Sequence, residues 1–201
     1  VTVLKDGDAG VWRADATGQP VVLADEAELV GAAVWSPDGR RIVTVFGDMA
    51  RVWDADGAGA PVVLKGHEDS ILAAAWSPDG RRIVTTSADG TARIWQPGGK
   101  GRPVVLKGPD DEMFVVAAWS PDGEHVVVGS DEAIARVWEA DGRGAPVVLK
   151  GHTDAILSVA WSPDGGAILT VSDDQTARVW DPEAGEAMVV LQGHTDAIVS
   201  A

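Results

Sequence analysis

The chain has 201 residues, of which 45% are hydrophobic, a share that is ordinary for a globular protein. Its net charge of −15 makes nucleic acid a poor partner, because binding nucleic acid requires a basic surface. The absence of cysteine excludes disulfides and thiolate metal sites, and no stretch approaches the roughly 20 apolar residues of a membrane span.

No signal peptide is visible, and we expect a cytoplasmic location. The sequence begins at Val1 rather than at Met, so the true N-terminus and any targeting segment on it can lie outside this sequence.

Nine tryptophans recur with alternating gaps of 18–19 and 23–24 residues. The period of about 42 residues, with no helical periodicity, indicates a small sheet that is copied side by side. The tryptophans are Trp12, Trp35, Trp53, Trp76, Trp95, Trp119, Trp138, Trp161 and Trp180.

In chain order, residues 1–23 carry the last three strands of one copy, which residues 198–201 complete with its first strand. Between them lie four whole copies, over residues 29–64, 71–106, 113–149 and 156–191. Each contains four short β-branched or apolar runs, here called strands a to d, separated by turn residues such as Ser77-Pro78-Asp79-Gly80.

One sheet of this size cannot bury both of its faces, whereas stacked neighbours can. The sequence therefore predicts a single all-β domain over residues 1–201. Its architecture is a β-propeller of five four-stranded antiparallel blades, one of which is shared between the two termini.

Further motifs recur in phase with the tryptophans. Gly-His pairs end in His67, His152 and His194, and Trp-Asp pairs stand at Trp53-Asp54 and Trp180-Asp181. An Asp precedes the strand-c Trp by six residues in three copies, at Asp6, Asp89 and Asp174. With these motifs the chain resembles WD40 repeat proteins over essentially its whole length.

The resemblance implies a hydrogen-bonded group within each blade, made by a His, a strand-b Ser or Thr, the turn Asp and the strand-c Trp. Two blades carry the full set, and the shared blade carries a weaker one. The members are His67, Ser87, Asp89 and Trp95; His152, Ser172, Asp174 and Trp180; and His194, Asp6 and Trp12. The other blades depart from the pattern, because Pro109 replaces His and Glu132 replaces Asp in one, and Val45 occupies the Ser position in another. We expect these blades to depend on packing against their neighbours.

The sequence predicts no enzyme activity, no metal site and no cofactor. Each repeat holds at most one motif His, which already has a structural use. The carboxylate pair Asp173-Asp174 resembles the pair of a glycosidase, but one member falls on the structural Asp position of the repeat.

Loops of type d–a and turns of type b–c share one mouth of the propeller, and they are rich in carboxylates. In WD40 proteins this mouth commonly receives peptides and partner proteins. We therefore predict that it binds a protein or a basic peptide, against the alternative of a solvated rim without a specific ligand. The candidate residues are Glu68, Asp69, Asp110, Asp111, Glu112, Asp154, Asp173 and Asp196.

Three assemblies remain open at this point. The chain closes alone into a five-bladed ring, or it is a segment of a longer WD40 protein, or several copies join through the open blade as a homo-oligomer. Three functions remain open as well. The first is a noncatalytic interaction scaffold, the second is a structural array, engineered or truncated, that self-assembles without a specific ligand, and the third is sugar binding. We expect neither nucleic acid nor a membrane as a partner.

Overall fold

The fold was examined in a computed structural model, which describes residues 2–3, 9–11, 21–23, 30–109 and 112–193. These residues form nineteen β-strands and no helix, and all strand pairs are antiparallel. Within the described ranges there is accordingly no helix that is long and apolar enough to cross a membrane.

The strands form five sheets, each with its strands in chain order. The first sheet has three strands, β1 (Thr2–Val3), β2 (Ala9–Val11) and β3 (Val21–Leu23). The second comprises β4 (Ala32–Trp35), β5 (Arg41–Phe46), β6 (Met49–Asp54) and β7 (Val62–Lys65). The third comprises β8 (Ile71–Trp76), β9 (Ile83–Ser87), β10 (Thr91–Trp95) and β11 (Val104–Lys107). The fourth comprises β12 (Phe114–Trp119), β13 (His125–Ser130), β14 (Ile134–Glu139) and β15 (Val147–Lys150). The fifth comprises β16 (Ile156–Trp161), β17 (Ile168–Ser172), β18 (Ala177–Trp180) and β19 (Ala187–Leu191).

The Ser-Pro-Asp-Gly segments make the turns between the first two strands of the four-stranded sheets. At residues 77–80 the Gly80 amide donates to the Ser77 carbonyl over 2.9 Å, and the Ser77 hydroxyl donates to Asp79 over 2.6 Å. Gly80 has a φ of +66°, a conformation that side chains disfavour, which explains why Gly ends this turn.

Neighbouring sheets stack through their first strands, with β4 beside β8, β8 beside β12, and β12 beside β16. The hydrophobic clusters lie between sheets rather than within them. One cluster, for example, joins Val84 and Leu106 of the third sheet to Phe114 and Trp138 of the fourth. Each four-stranded sheet therefore depends on its neighbours for burial.

Arginine side chains connect successive sheets at the Ser-Pro-Asp-Gly edge. The Arg41 guanidinium lies 5.0 Å from the ring centre of Trp76 in the next sheet, and it donates to the Gly80 carbonyl over 3.0 Å. Arg82 repeats this contact one sheet later, 4.8 Å from the ring centre of Trp119. Each contact combines a cation–π interaction with a charged hydrogen bond between sheets.

The last sheet of the row, and the junction with the three-stranded first sheet, differ from the middle. Leu191 in β19 is 49% exposed, whereas Leu106 and Leu149, at the same repeat position, are 2% and 1% exposed. Next to the three-stranded first sheet, Trp35 is 37% exposed, whereas the equivalent Trp76 is 7% exposed and donates its indole N–H to the Val34 carbonyl of the preceding sheet.

The four-stranded antiparallel sheets and their stacking agree with a propeller-type architecture. The number of blades and the closure of the ring stay predictions. The strand expected at residues 198–201, which would complete the three-stranded first sheet, lies outside the described residues.

Candidate functional site

The loops of the predicted acidic mouth are fixed to neighbouring turns by hydrogen bonds. Asp89, in the turn after β9, accepts the Glu68 amide over 3.0 Å, and the Ser87 hydroxyl donates to the Asp69 carbonyl over 2.9 Å. In the fifth sheet, the Ser172 hydroxyl donates to the Asp154 carbonyl over 2.7 Å. The structure therefore brings the d–a loops and the b–c turns together at one edge.

A chain of buried polar groups lies directly beneath this edge in the third sheet. The Trp95 indole N–H donates to the Thr85 hydroxyl over 2.8 Å, and this hydroxyl lies 2.8 Å from His67 Nε2. His67 Nδ1 lies 2.9 Å from an Asp89 carboxylate oxygen, which can only accept. Nδ1 therefore carries the proton, and Nε2 accepts from Thr85. Thr91 completes the group by donating its hydroxyl to Asp89 over 2.6 Å.

The fifth sheet repeats this arrangement. Trp180 donates to Thr170 over 2.8 Å, Thr170 lies 2.7 Å from His152 Nε2, and His152 Nδ1 lies 2.8 Å from Asp174. The third expected group, made of His194, Asp6 and Trp12, lies outside the described residues.

The hydroxyl that joins His to Trp differs from the one the sequence indicated. Ser87 and Ser172 were predicted in this position, but Thr85 and Thr170 occupy it, two residues earlier. Residues i and i+2 of a strand face the same side, so the repeat alone does not distinguish them. The contacts identify the threonines, since the indoles of Trp95 and Trp180 donate to the hydroxyls of Thr85 and Thr170, ten residues earlier in each case.

The second sheet retains one link of the network. Trp53 donates to the Thr44 hydroxyl over 2.8 Å, although its turn is one residue shorter. Counting back from Trp53 placed Val45 at the Ser position, but the shorter turn shifts that count by one residue. Thr44 pairs with Arg51 as Thr85 pairs with Arg93, so Thr44 is the counterpart of Thr85.

The fourth sheet replaces the polar network with an aromatic pair. The rings of Phe114 and Trp138 meet edge to face with centres 5.5 Å apart, where the other sheets place His67 or His152 about 6.1 Å from Trp. Gly108 makes room for this ring, because a Cβ at that position would lie 2.7 Å from Phe114. This contact lies within the fourth sheet, whereas the packing expected of a blade without the motif His was against its neighbours. Both rings also join the cluster with Val84 and Leu106 of the third sheet.

The same sheet contains a buried ion pair. Both carboxylate oxygens of Glu112 lie 2.6 Å from the Arg136 guanidinium, and neither side chain is more than 9% exposed. The sequence analysis placed Glu112 on the acidic rim, and this placement is wrong. A run of charged residues in the sequence does not show that one of them turns inward to meet an arginine of β14.

Four of the remaining predicted rim residues are exposed carboxylates, namely Glu68, Asp69, Asp154 and Asp173. The other three, Asp110, Asp111 and Asp196, lie outside the described residues. In the part of the chain that the structure describes, no cluster of three or more His, Asp or Glu has the arrangement of a metal site.

Comparison with protein families agrees with this geometry. The WD40 family model (WD domain, G-beta repeat) matches residues 61–96, 103–139 and 146–181, which together make up more than half of the chain. The chain belongs to the WD40 repeat family. WD40 repeats generally mediate protein interactions, and proteins built from them are typically noncatalytic. A search of the curated proteins found no match.

The ionisation of the WD40 network follows from its burial and its hydrogen bonds. Burial lowers the pKa of His67 and of His152, and the neighbouring Asp89 and Asp174 only partly oppose this effect. For Asp89, burial acts to raise the pKa, but hydrogen bonds from Thr91, the Glu68 amide and His67 outweigh it and lower the pKa to about 2. At neutral pH the network therefore pairs a neutral imidazole with a carboxylate.

These pKa directions predict a stability that falls with acidification. Unfolded histidines gain a proton near pH 6.5, while His67 and His152 resist it in the fold, so the free energy of unfolding should decrease as the pH falls below about 6.5. A second decrease should begin below about pH 3.8, where unfolded Asp89 is protonated and folded Asp89 is not. Urea unfolding between pH 8 and pH 3 measures both.

In the double variant His67→Gln/His152→Gln, the free energy of unfolding should no longer change with pH between pH 7 and pH 5. His125→Gln is the matched control, because this half-exposed ring lies outside both networks, and it should keep the dependence. If the free energy of unfolding of the double variant still falls with pH as in wild type, groups other than these two histidines cause the pH dependence.

The buried ion pair predicts that replacing Glu112 strongly lowers the free energy of unfolding. Glu112→Ala leaves Arg136 buried without its carboxylate, so the free energy of unfolding should decrease by about 3–5 kcal/mol. Pro109→Ala, in the same loop but exposed, should cost less than about 0.5 kcal/mol. Chemical denaturation of both variants makes the comparison, and equal losses would contradict the assignment.

Proposed function

We propose that this WD40 chain is a noncatalytic scaffold that binds Lys/Arg-rich segments of partner proteins at its acidic mouth. The observation that carries the proposal is the set of exposed carboxylates on hydrogen-bonded loops, namely Glu68, Asp69, Asp154 and Asp173. A net charge of −15 adds a long-range field that accelerates the approach of basic segments.

The two mouth loops that carry Asp69 and Asp154 are held in place before any partner arrives. The backbone carbonyls of Asp69 and Asp154 are each held by a serine hydroxyl from the adjacent turn. One carboxylate oxygen of Asp69 also accepts the Ser70 amide over 2.6 Å, and Asp154 does the same with Ala155 over 2.8 Å. A partner therefore meets carboxylates on fixed backbone, which reduces the entropy lost on binding.

The local chemistry favours binding over catalysis. Of the carboxylate pair Asp173-Asp174, only Asp173 is exposed, because Asp174 accepts hydrogen bonds from His152, Thr176 and the Thr153 amide. A glycosidase needs two carboxyl groups that both reach the substrate. Asp174 is committed to the network instead.

Salt-dependent binding of a basic peptide tests the proposal. A fluorescent Lys/Arg-rich peptide should bind at low ionic strength and weaken steeply as salt is added. The double reversal Asp154→Lys/Asp173→Lys should abolish binding. The control Asp56→Lys/Glu183→Lys makes the same charge change in exposed loops at the opposite edge and should reduce affinity only slightly.

Two results would contradict this function. One is peptide binding that does not depend on salt. The other is an equal loss of peptide affinity in both double reversals, which would show that the peptide is attracted to the net charge rather than to a specific site.

A second candidate function is self-assembly, which the exposed strand β19 favours. In the preceding sheets, the strand at this position is covered by the next sheet: a Cβ at Gly142 would lie 2.5 Å from Val104, and one at Gly185 would lie 3.0 Å from Val147. The equivalent Val189 is 45% exposed. We propose that a second copy of the chain covers this flank with its own N-terminal sheet, because that sheet has the same repeat structure.

Solution mass tests this assembly. The chain should form concentration-dependent oligomers in light scattering, and Leu191→Asp should render it monomeric. Val63→Asp is the control, since Val63 is equally exposed at 49% but lies on the outward side of β7, and it should leave the mass unchanged. A wild-type chain that is monomeric at every concentration would rule this assembly out.

A further inference from the structure

A cleft of about 750 Å³ opens at the edge opposite the acidic mouth, lined mainly by the third sheet with Arg41 from the second sheet and Asp141 from the fourth. Four arginines line it, in a chain that is acidic overall: Arg41, Arg81, Arg82 and Arg102. Its apolar wall includes Trp95 and Val104. We call this space the arginine cleft.

The two carboxylates that line the arginine cleft are engaged in local interactions. Asp79 accepts the Ser77 hydroxyl over 2.6 Å and the Arg81 amide over 3.0 Å, within its turn. Asp141 lies 3.4 Å from Arg143 on the same loop. The arginines are therefore only partly neutralised.

The four arginines divide into two fixed and two exposed side chains. Arg41 and Arg82 are held over tryptophan rings and against backbone carbonyls, as described above. Arg81 is 86% exposed, and its nearest carboxylate, that of Asp79, is 4.0 Å away. Arg102 is also exposed and has no hydrogen bond or ion pair to any described residue. Arg41 and Arg82 therefore provide positive charge at fixed positions, and the guanidinium groups of Arg81 and Arg102 can move to contact a ligand.

The cleft at the next junction along the row is built from the same repeat but lacks these arginines. The corresponding cleft between the fourth and fifth sheets has only about 170 Å³ and is lined by Asp122, His125 and Glu183. His125 replaces Arg82 there, and Glu124 replaces Arg81. The arginines that line the larger cleft are thus not retained at this later junction.

We propose that the arginine cleft binds an acidic segment of a partner protein, with Asp or Glu side chains on the arginines and an apolar side chain against the Trp95–Val104 wall. Guanidinium groups match carboxylates with two parallel hydrogen bonds, which gives this class of ligand its specificity. The size and openness of the cleft fit an extended segment better than a single small anion. The site is separate from the acidic mouth and does not depend on it.

Fluorescence anisotropy with a labelled Glu-rich peptide that contains a central Leu tests the arginine cleft. The wild-type chain should bind it at low salt, and Arg81→Ala/Arg102→Ala should weaken binding by about tenfold or more. Both side chains are exposed, so the thermal unfolding of this variant should match wild type. Lys65→Ala/Lys150→Ala removes the same charge at the opposite edge and should bind like wild type.

Three outcomes would overturn the inference. These are no binding by the wild-type chain, an equal loss in the lysine control, or full displacement of the peptide by low concentrations of inorganic phosphate, which would indicate a small-anion site. Binding of the basic peptide by the Arg81→Ala/Arg102→Ala variant is measured in parallel, so that a failure of the acidic mouth is distinguished from a failure of this cleft.

Discussion

The structure depends on burial that is shared between adjacent sheets. No four-stranded sheet here can cover both of its faces, and the hydrophobic clusters contain residues from two sheets at a time, such as Leu106 with Phe114 and Trp138. Stability is therefore a sum over junctions, as in other repeat proteins. In β19, the last described strand of the row, Leu191 is exposed because no described sheet covers it.

Shared burial explains why the polar network varies between sheets. The third and fifth sheets join loop, turn and strand through His67 and His152, whereas the fourth uses Phe114 against Trp138 and Glu112 against Arg136. Each of these contacts ties a d–a loop, or the first residue of the strand that follows it, to the rest of its sheet. Because the junctions carry the core, the surfaces at either edge are free to diverge, with carboxylates at one edge and the arginine cleft at the other.

The sequence was sufficient to predict strands and turns, since tryptophans, Ser-Pro-Asp-Gly segments and β-branched runs are local signals. It was insufficient where two residues satisfy the same pattern. Thr85 and Ser87 share a strand face, so the network member was misplaced by two residues. Glu112 reads as one of several acidic loop residues, and only the position of Arg136 shows that it is buried. Leu191 carries the same pattern as Leu149, and its exposure depends on whether a neighbour is present.

The central claim, that each sheet is protected by the next one, is tested most directly by amide hydrogen exchange in β11, β15 and β19. These strands occupy the same repeat position, and only β19 lacks a covering sheet among the described residues. In dilute solution β19 should exchange much faster than the other two, and its exchange should slow as the chain concentration rises. Equal protection of all three strands at every dilution would contradict the account, because it would show that β19 is already covered within a single chain.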